Sequence, residues 1–393
     1  MVAVVGLAWL GLIGFAWNDY EVEAAPAFAA LTRGDVVGFL QAAPAYGGSL
    51  VLRAPFAGVT AWLGGGELAV YRAVSIPCLL AGAALGVVLA RRSPRHGWLV
   101  LALATANPVT LRALEIGHPE ELLGGALCVG AVIAAAGSRG LLAGLLLGLA
   151  LATKAWSVLA IGPVVLALAP GARLRALGVA GAVAAAVYAP LLAAGSVAAI
   201  GAGVRTTGSV IFQPWQVFWF LGEPGLVVIG GDGLPKPNGW RTPPGWLAAL
   251  THPLIAILVI PASVVWAAVR RPRGEEVLLL LTLLFAARCL LDPWNNVYYG
   301  LPFLLALLAW EALRRPARPP VLTLGATAAT WASFEWLPRV LGPDAQSLAY
   351  LAWMLPLCML LVRSALPASS RSSASSSGRP VAPAVDGRLL NQA

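Results

Sequence analysis

Charge is scarce in this chain of 393 residues: only 11% are Asp, Glu, Lys or Arg, against 59% hydrophobic. A soluble domain carries about 25% charged residues, so a water-soluble globular fold is excluded. Lysine is almost missing: Lys154 and Lys236 stand alone, and arginine supplies the other positive charges. The net charge of +9 does not read as a nucleic-acid-binding face. The basic residues come in short clusters between apolar runs, as loop anchors do. Cys78, Cys128, Cys289 and Cys358 lie within or beside apolar runs, without the spacing of a zinc site or a disulfide framework. They read as small hydrophobes. No internal repeat, G-x-x-x-x-G-K-[ST] loop or soluble ATPase domain is present, which removes ATP-driven transport by this chain alone.

What fills the chain is a succession of apolar runs. Roughly 20 apolar residues cross a ~30 Å hydrocarbon core as a helix. A backbone in lipid must satisfy its own hydrogen bonds, so helices follow from the solvent. The expected spans are 2–17, 67–90, 97–114, 120–137, 140–152, 155–170, 174–194, 247–269, 276–291, 297–313, 320–337 and 347–363. The expected fold is therefore an all-α, polytopic transmembrane helical bundle of about 11–12 membrane segments. It occupies 1–363 and has two long outer loops carrying short helices. The first span lacks a basic n-region and a small-residue cleavage site, so it reads as an uncleaved anchor. Residues 364–393, rich in Ser, Ala and Pro, read as a disordered cytoplasmic tail.

Orientation follows from the arginines. With both termini inside, the inner connections hold Arg91, Arg92, Arg95, Arg139, Arg173, Arg175, Arg270, Arg271, Arg273, Arg314, Arg315 and Arg318. Short Arg-rich loops stay in the cytoplasm, which predicts a multi-pass plasma-membrane protein. Most acids then fall on the outer side, and acids contribute little to the topology rule, so their bias carries functional information. One break decides the count. As a single helix, 140–170 would be about 46 Å long. It would also flip every downstream loop. Ala152-Thr153-Lys154 is therefore read as a break between two short segments.

The outer loops are 18–66 and 195–245. Within the first, 24–40 has helix-like apolar spacing with Thr32 and Asp35 in a Thr-x-x-Asp pattern, suited to lying along a membrane surface. A Gly-Gly stretch at 45–56 would bring flexible backbone to a ligand or return the loop to the bilayer. In the second, 230–245 is Gly- and Pro-rich and reads as irregular. Trp215, Trp219, Trp240 and Trp246 would suit the interfacial zone.

Four constellations carry candidate chemistry. Asp19, Glu21 and Glu23 alternate directly after the first span. A partly desolvated carboxylate there gains basicity and suits a general base, though a polar helix flank would look the same. Glu115-Ile116-Gly117-His118-Pro119-Glu120-Glu121 is a tight turn holding one of three histidines. It reads as an acceptor or metal cluster, or as a solvated hairpin whose acids favour a helix N-terminus. Lys154 in a hydrophobic break either snorkels or pairs with an anion such as phosphate. Arg288-Cys289-Leu290-Leu291-Asp292-Pro293-Trp294-Asn295-Asn296-Val297-Tyr298-Tyr299 gathers groups able to bind a sugar or phosphate. Its plainer reading is an interfacial aromatic belt with an Arg288–Asp292 pair at i,i+4.

Taken together, the acidic motif after the first span, the GHPEE turn, the Ala-Thr-Lys break and the outer DPWNN-V-YY turn resemble a known family. It is that of the polytopic GT-C glycosyltransferases of actinobacteria, near the polyprenyl-phosphate-mannose-dependent mannosyltransferases (glycosyltransferase family 87-like). The resemblance covers about residues 1–363. It implies a polyprenyl-phosphate sugar donor drawn from the membrane lipids, a glycolipid or glycan acceptor, inversion at the anomeric carbon and no cofactor or metal. It implies Asp19 as base, with Glu21 and Glu23 as alternatives, and Lys154 and Arg288 at the donor phosphate. His118, Glu120, Asp292, Asn295 and Tyr298 would line the sugar site. The spacing of the first-loop acids departs from the adjacent acid pair of protein mannosyltransferases. The competing expectations are a secondary transporter or lipid flippase, which would carry ionisable groups mid-membrane, and a non-catalytic scaffold.

Overall fold

The computed structural model describes residues 19–195, 212–225, 227–229, 235–237, 239–269 and 276–365. The expected span 2–17, the tail from 366 and the Arg270–Arg273 cluster lie outside the described residues. The chain forms an all-α bundle. Among the described residues, seven helices are long and apolar enough to cross a membrane, as in a multi-pass membrane protein: Glu67–Arg92, Gly97–Ile116, Pro119–Ala136, Pro170–Ala193, Gly245–Val269, Val297–Arg314 and Pro343–Ala365. Three shorter apolar helices accompany them, Gly140–Thr153, Ala155–Ala167 and Val277–Leu291.

The helices used below are α1 (Ala25–Thr32), α2 (Val36–Gln41), α3 (Gly47–Trp62), α4 (Glu67–Arg92), α5 (Gly97–Thr105) and α6 (Pro108–Ile116). They continue as α7 (Pro119–Ala136), α8 (Gly140–Thr153), α9 (Ile161–Ala167), α10 (Pro170–Ala193) and α11 (Gly245–Val269). The last are α12 (Val277–Leu291), α13 (Gly300–Arg314), α14 (Val321–Trp331) and α15 (Pro343–Ala365). The expected span 97–114 is bent between α5 and α6. Asn107 caps α6 through Thr110 N at 2.9 Å and donates back to Leu103 O at 2.7 Å, while Pro108 takes the first helical position, where its missing N–H costs nothing.

Burial separates the helices. The α7 span and the one containing α13 are each 78% buried, whereas α10 and α11 are 17% buried. α7 and α13 therefore form the centre, and α10 and α11 the rim. Because lipid gives no hydrophobic drive between helices, close packing of small residues has to hold the rim. A Cβ on Gly144 would lie 2.5 Å from Ala176 O, and one on Gly148 2.6 Å from Ala180 O. The backbones of α8 and α10 touch there, and only glycine fits.

The break at Lys154 is present. α8 ends at Thr153, Lys154 is extended, and a 3-10 turn, Ala155–Ala160, leads into α9. With 14 residues, α8 rises only about 21 Å, so Lys154 sits inside the bundle rather than beyond it. At the opposite end the Arg-rich connections meet: Ser93 Oγ donates to Pro316 O at 3.0 Å.

The described parts of both long loops are more regular than their composition suggests. The first is mostly helical. Asp35 caps α2 through Gly38 N at 2.8 Å, and the Gly-Gly stretch opens the 16-residue α3 instead of forming a loop. Gly48 is required there because a Cβ would meet Ala152 O at 2.3 Å. The second loop contains two antiparallel ribbons, so 235–237 and 241–242 are strands where an irregular run was expected, while 230–234 lie outside the described residues: Glu223–Pro224 pairs with Arg241–Thr242, and Val227–Ile229 with Pro235–Pro237. Trp219 and Arg241 tie this hairpin to Asp344 at the start of α15, at 2.7 Å and 3.1 Å. Trp215 and Trp219 are buried in protein, contrary to their expected interfacial place, while Trp246 is exposed.

Candidate active site

Two acidic motifs distant in sequence meet at one end of the bundle. The contact depends on Gly117, at φ +111°, where a Cβ would lie 2.4 Å from the Cβ of Tyr20. Only glycine accepts both that backbone conformation and that closeness. The segment Tyr20–Ala24 is a π-turn, a form that recurs at functional sites. It is not extended, so the alternate acids do not share a face. Asp19 and Glu23, four apart, turn inward, whereas Glu21 is exposed. Glu23 is half-buried and within electrostatic reach of Tyr46 and Lys154.

Behind Asp19 lies a buried network of charge. Glu120 is fully buried and contacts His118 Nδ1 at 2.7 Å, Lys154 Nζ at 3.1 Å and Arg53 Nη2 at 3.4 Å. Glu121, also buried, accepts from Trp156 Nε1 at 3.1 Å and faces Lys154 at 3.5 Å and Arg288 at 3.6 Å. Lys154 lies over the Tyr46 ring at 3.8 Å, and Arg288 is held over Tyr299 at 4.0 Å and Trp156 at 4.9 Å. Lys154 therefore does not snorkel. Ionised groups buried this deeply persist only with partners, and each of these has one. Arg288 turns to Glu121 rather than forming the expected pair with Asp292, which faces His252 at 3.4 Å.

His118 joins the network to Asp19. Its Nε2 is 3.1 Å from Asp19 Oδ2 and its Nδ1 is 2.7 Å from Glu120. Both neighbours are carboxylates and only accept, so both ring nitrogens must carry hydrogen. Burial alone would push the imidazolium pKa down. The charge of Glu120 and the bonds to Asp19 and Glu120 outweigh that and raise it to about 9. Tyr298 packs against the ring at 4.2 Å, tilted by 36°, and donates its hydroxyl to the same Asp19 Oδ2 at 3.3 Å.

On its other side Asp19 borders a cavity of about 370 Å³, together with Arg112, Gln213, Trp215, Asn296 and Glu335. Ligand pockets begin near 300 Å³, so the space suits a small polar molecule. Asp19 thus separates a closed ionic network from an open cavity. A carboxylate so placed is able to take a proton from a group in the cavity while His118 and Tyr298 hold it from behind.

No family model matches the chain, and no curated protein matches it.

Of the residues expected at the site, Asp19, Glu23, His118, Glu120, Lys154, Arg288 and Tyr298 come together. Glu21 stays apart. Asn295 is buried and structural, donating to Trp215 O at 2.6 Å and lying 3.2 Å from Tyr350 Oη; its neighbour Asn296 borders the cavity instead. Asp292 shapes the turn by accepting from Trp294 N at 2.9 Å. Among the described residues, no group of three or more His, Cys, Asp or Glu is arranged to hold a metal ion. Sequence reasoning placed Glu121 in the candidate turn without giving it a role of its own, and passed over Arg53, Tyr46, Trp156 and Gln213 as site residues. Arg53 did carry a signal, being the one charged residue in the apolar stretch from Val36 to Gly66. Gln213 carried none.

Proposed function

We propose that this protein is a polytopic membrane glycosyltransferase of GT-C type, with its site end facing the outside of the plasma membrane. The observation that carries the reading is Asp19, braced by His118 and Tyr298 and standing at the wall of a polar cavity. An acceptor hydroxyl in the cavity gives its proton to Asp19 while its oxygen attacks the anomeric carbon of a polyprenyl-phosphate sugar, mannose by the resemblance. The bond from that carbon to the phosphate oxygen breaks, its electron pair leaves with polyprenyl phosphate, and the configuration inverts. By the resemblance, Lys154 and Arg288 are the cations that meet the donor phosphate. Their contacts with Glu121, at 3.5 and 3.6 Å, are the longest in the network, so a donor phosphate would draw them from Glu121 first. The orientation is supported by the Arg-rich connections gathered at the other end; reporter fusions at Arg92 and Arg315 should both read cytoplasm.

The test is transfer of radiolabelled sugar from polyprenyl phosphate in membranes, wild type against Asp19→Asn at matched expression. Loss of a general base lowers the rate by about 100-fold or more. An unchanged Asp19→Asn would move the base to Glu23. No transfer from any of several donors would sink the enzyme reading.

One observation favours a second reading. Arg53, Glu120, Glu121 and Arg288 are buried among the helices with Lys154 only 12% exposed beside them, and such groups often mark ion or proton paths. A transporter or flippase would move protons or lipid in proteoliposomes without any sugar donor, and this flux would be lost in Glu121→Gln.

A further inference from the structure

The buried network at the site end has no cation to spare. Arg53, His118, Lys154 and Arg288 stand against Asp19, Glu23, Glu120 and Glu121. His118 counts as a cation at pH 7, because its pKa is raised to about 9. Asp292 also reaches Arg288 and is paired with His252, while Arg112 across the cavity is taken by Glu115 and Glu335. A phosphodiester is a monoanion at pH 7. A lipid-linked donor therefore brings a negative charge into a network already in balance. Away from water such a surplus is expensive, and a buried acid answers it by taking up a proton.

Burial and partners decide which acid does so. Asp19 and Glu23 are partly exposed, so water solvates part of their charge. Glu120 shares Lys154 but keeps His118 at 2.7 Å and Arg53 at 3.4 Å if Lys154 turns to a phosphate. Glu121 has no such reserve. It is buried, and the cations in contact with it among the described residues are Lys154 and Arg288, the same two that would meet the phosphate. Cys128 on its own helix, Cys289 on α12, and Tyr298 and Tyr299 before α13 lie within its electrostatic reach. Thiols and phenols are neutral at pH 7 and give it no counter-charge. Glu120, its neighbour on α7, is a like charge. Left without Lys154 and Arg288, an ionised Glu121 would be an uncompensated buried charge.

The approach is open on the side of Lys154. It is the most exposed of the four cations, and Ala155 beside it is exposed. Its ammonium is a point charge on a flexible stem, free to turn from one anion to another.

We propose, on the transferase reading, that donor binding and protonation of Glu121 are one event. The phosphate takes over Lys154 and Arg288, and Glu121 takes up one proton from water as it loses them. By linkage, acid tightens donor binding and alkali loosens it.

The test is calorimetric titration of farnesyl phosphoryl-mannose into the full chain in nanodiscs at pH 7. Repeating it in buffers of different ionisation heat counts the protons. About one proton should be taken up per donor bound. Infrared difference spectra should show a new protonated-carboxyl band. Glu121→Gln, neutral from the start, should take up none, lack the band and bind the donor about tenfold more tightly. Glu23→Gln should keep both the uptake and the band. Binding without proton uptake in wild type overturns the proposal and leaves the transferase reading standing. Uptake that persists in Glu121→Gln, or disappears in Glu23→Gln, overturns the assignment to Glu121. The wild-type count and Glu23→Gln remain decisive if Glu121→Gln fails to fold. A donor that does not bind at all sinks the transferase reading, and this inference with it.

Discussion

Asp19-Tyr20-Glu21-Val22-Glu23 and Glu115-Ile116-Gly117-His118-Pro119-Glu120-Glu121 each crowd three carboxylates into a short stretch, yet the fold treats them in opposite ways. In the second motif, α7 starts at Pro119 and carries Glu120 and Glu121 straight into the protein, where four cationic groups meet them. In the first, a π-turn leaves Glu21 in solvent and holds Asp19 at a cavity wall with 31% of its side chain exposed. The buried pair is enclosed by ion-pair partners and acts as scaffold. The half-exposed acid has one side braced and one side open, which is what proton transfer requires. Sequence proximity to a membrane boundary is thus no guide to role; the number of partners is.

The comparison is broken most severely at Glu120. Glu120→Ala strands His118, Lys154 and Arg53 without their shared partner. Removing one member of a buried ion pair costs about 3–5 kcal/mol, so thermal unfolding in detergent should drop sharply or the protein fail to accumulate. Glu21→Gln, at the exposed position, should shift stability by no more than about 0.5 kcal/mol and leave sugar transfer unchanged. If the two variants behave alike, the division between scaffold and reactive acid is wrong.

Asp19→Asn should separate activity from stability, with about 100-fold loss of transfer and a near-normal melting curve. Gly117→Ala attacks the contact between the two motifs. The added methyl meets Tyr20 at 2.4 Å in a backbone conformation that disfavours it, and the expected cost exceeds about 1 kcal/mol. Transfer should fall further than stability, because Tyr20 adjoins Asp19.

A gentler probe is pH. The pKa of His118 is raised on folding, from 6.5 to about 9. The stabilisation from its charge is therefore fully present below 6.5 and is lost as pH rises towards 9. Melting temperature should decline across that window in wild type and more weakly in His118→Gln. The smallest effect is expected from chelation: sugar transfer should survive excess EDTA, and its restoration by a divalent ion would contradict the metal-free reaction.

Much of the bundle was legible. Long apolar runs dictate helices, and the break at Lys154 was readable because an unbroken 140–170 would overrun the bilayer. The helical nature of 47–62 was not, since Gly47-Gly48 signals a loop until α8 is known to pack against Gly48. The nested ribbons of the second loop were hidden for a similar reason: glycine and proline mark turns without saying which strands those turns join.

The site divides in the same way. Composition and periodicity by themselves determined that this chain is a helical membrane protein, because the cost of an unsatisfied backbone in lipid leaves little choice. They also picked out most of the residues that meet at the site, since a charge among apolar runs is expensive and stands out. Only the tertiary structure decided what each of them does. It paired Arg288 with Glu121 instead of Asp292, turned Glu21 away, exchanged Asn295 for Asn296 at the cavity and brought in Gln213 from a distant loop. Pairing depends on which helices touch and at what depth, and in a bundle apolar on every face that is set by small-residue contacts spread over the whole chain.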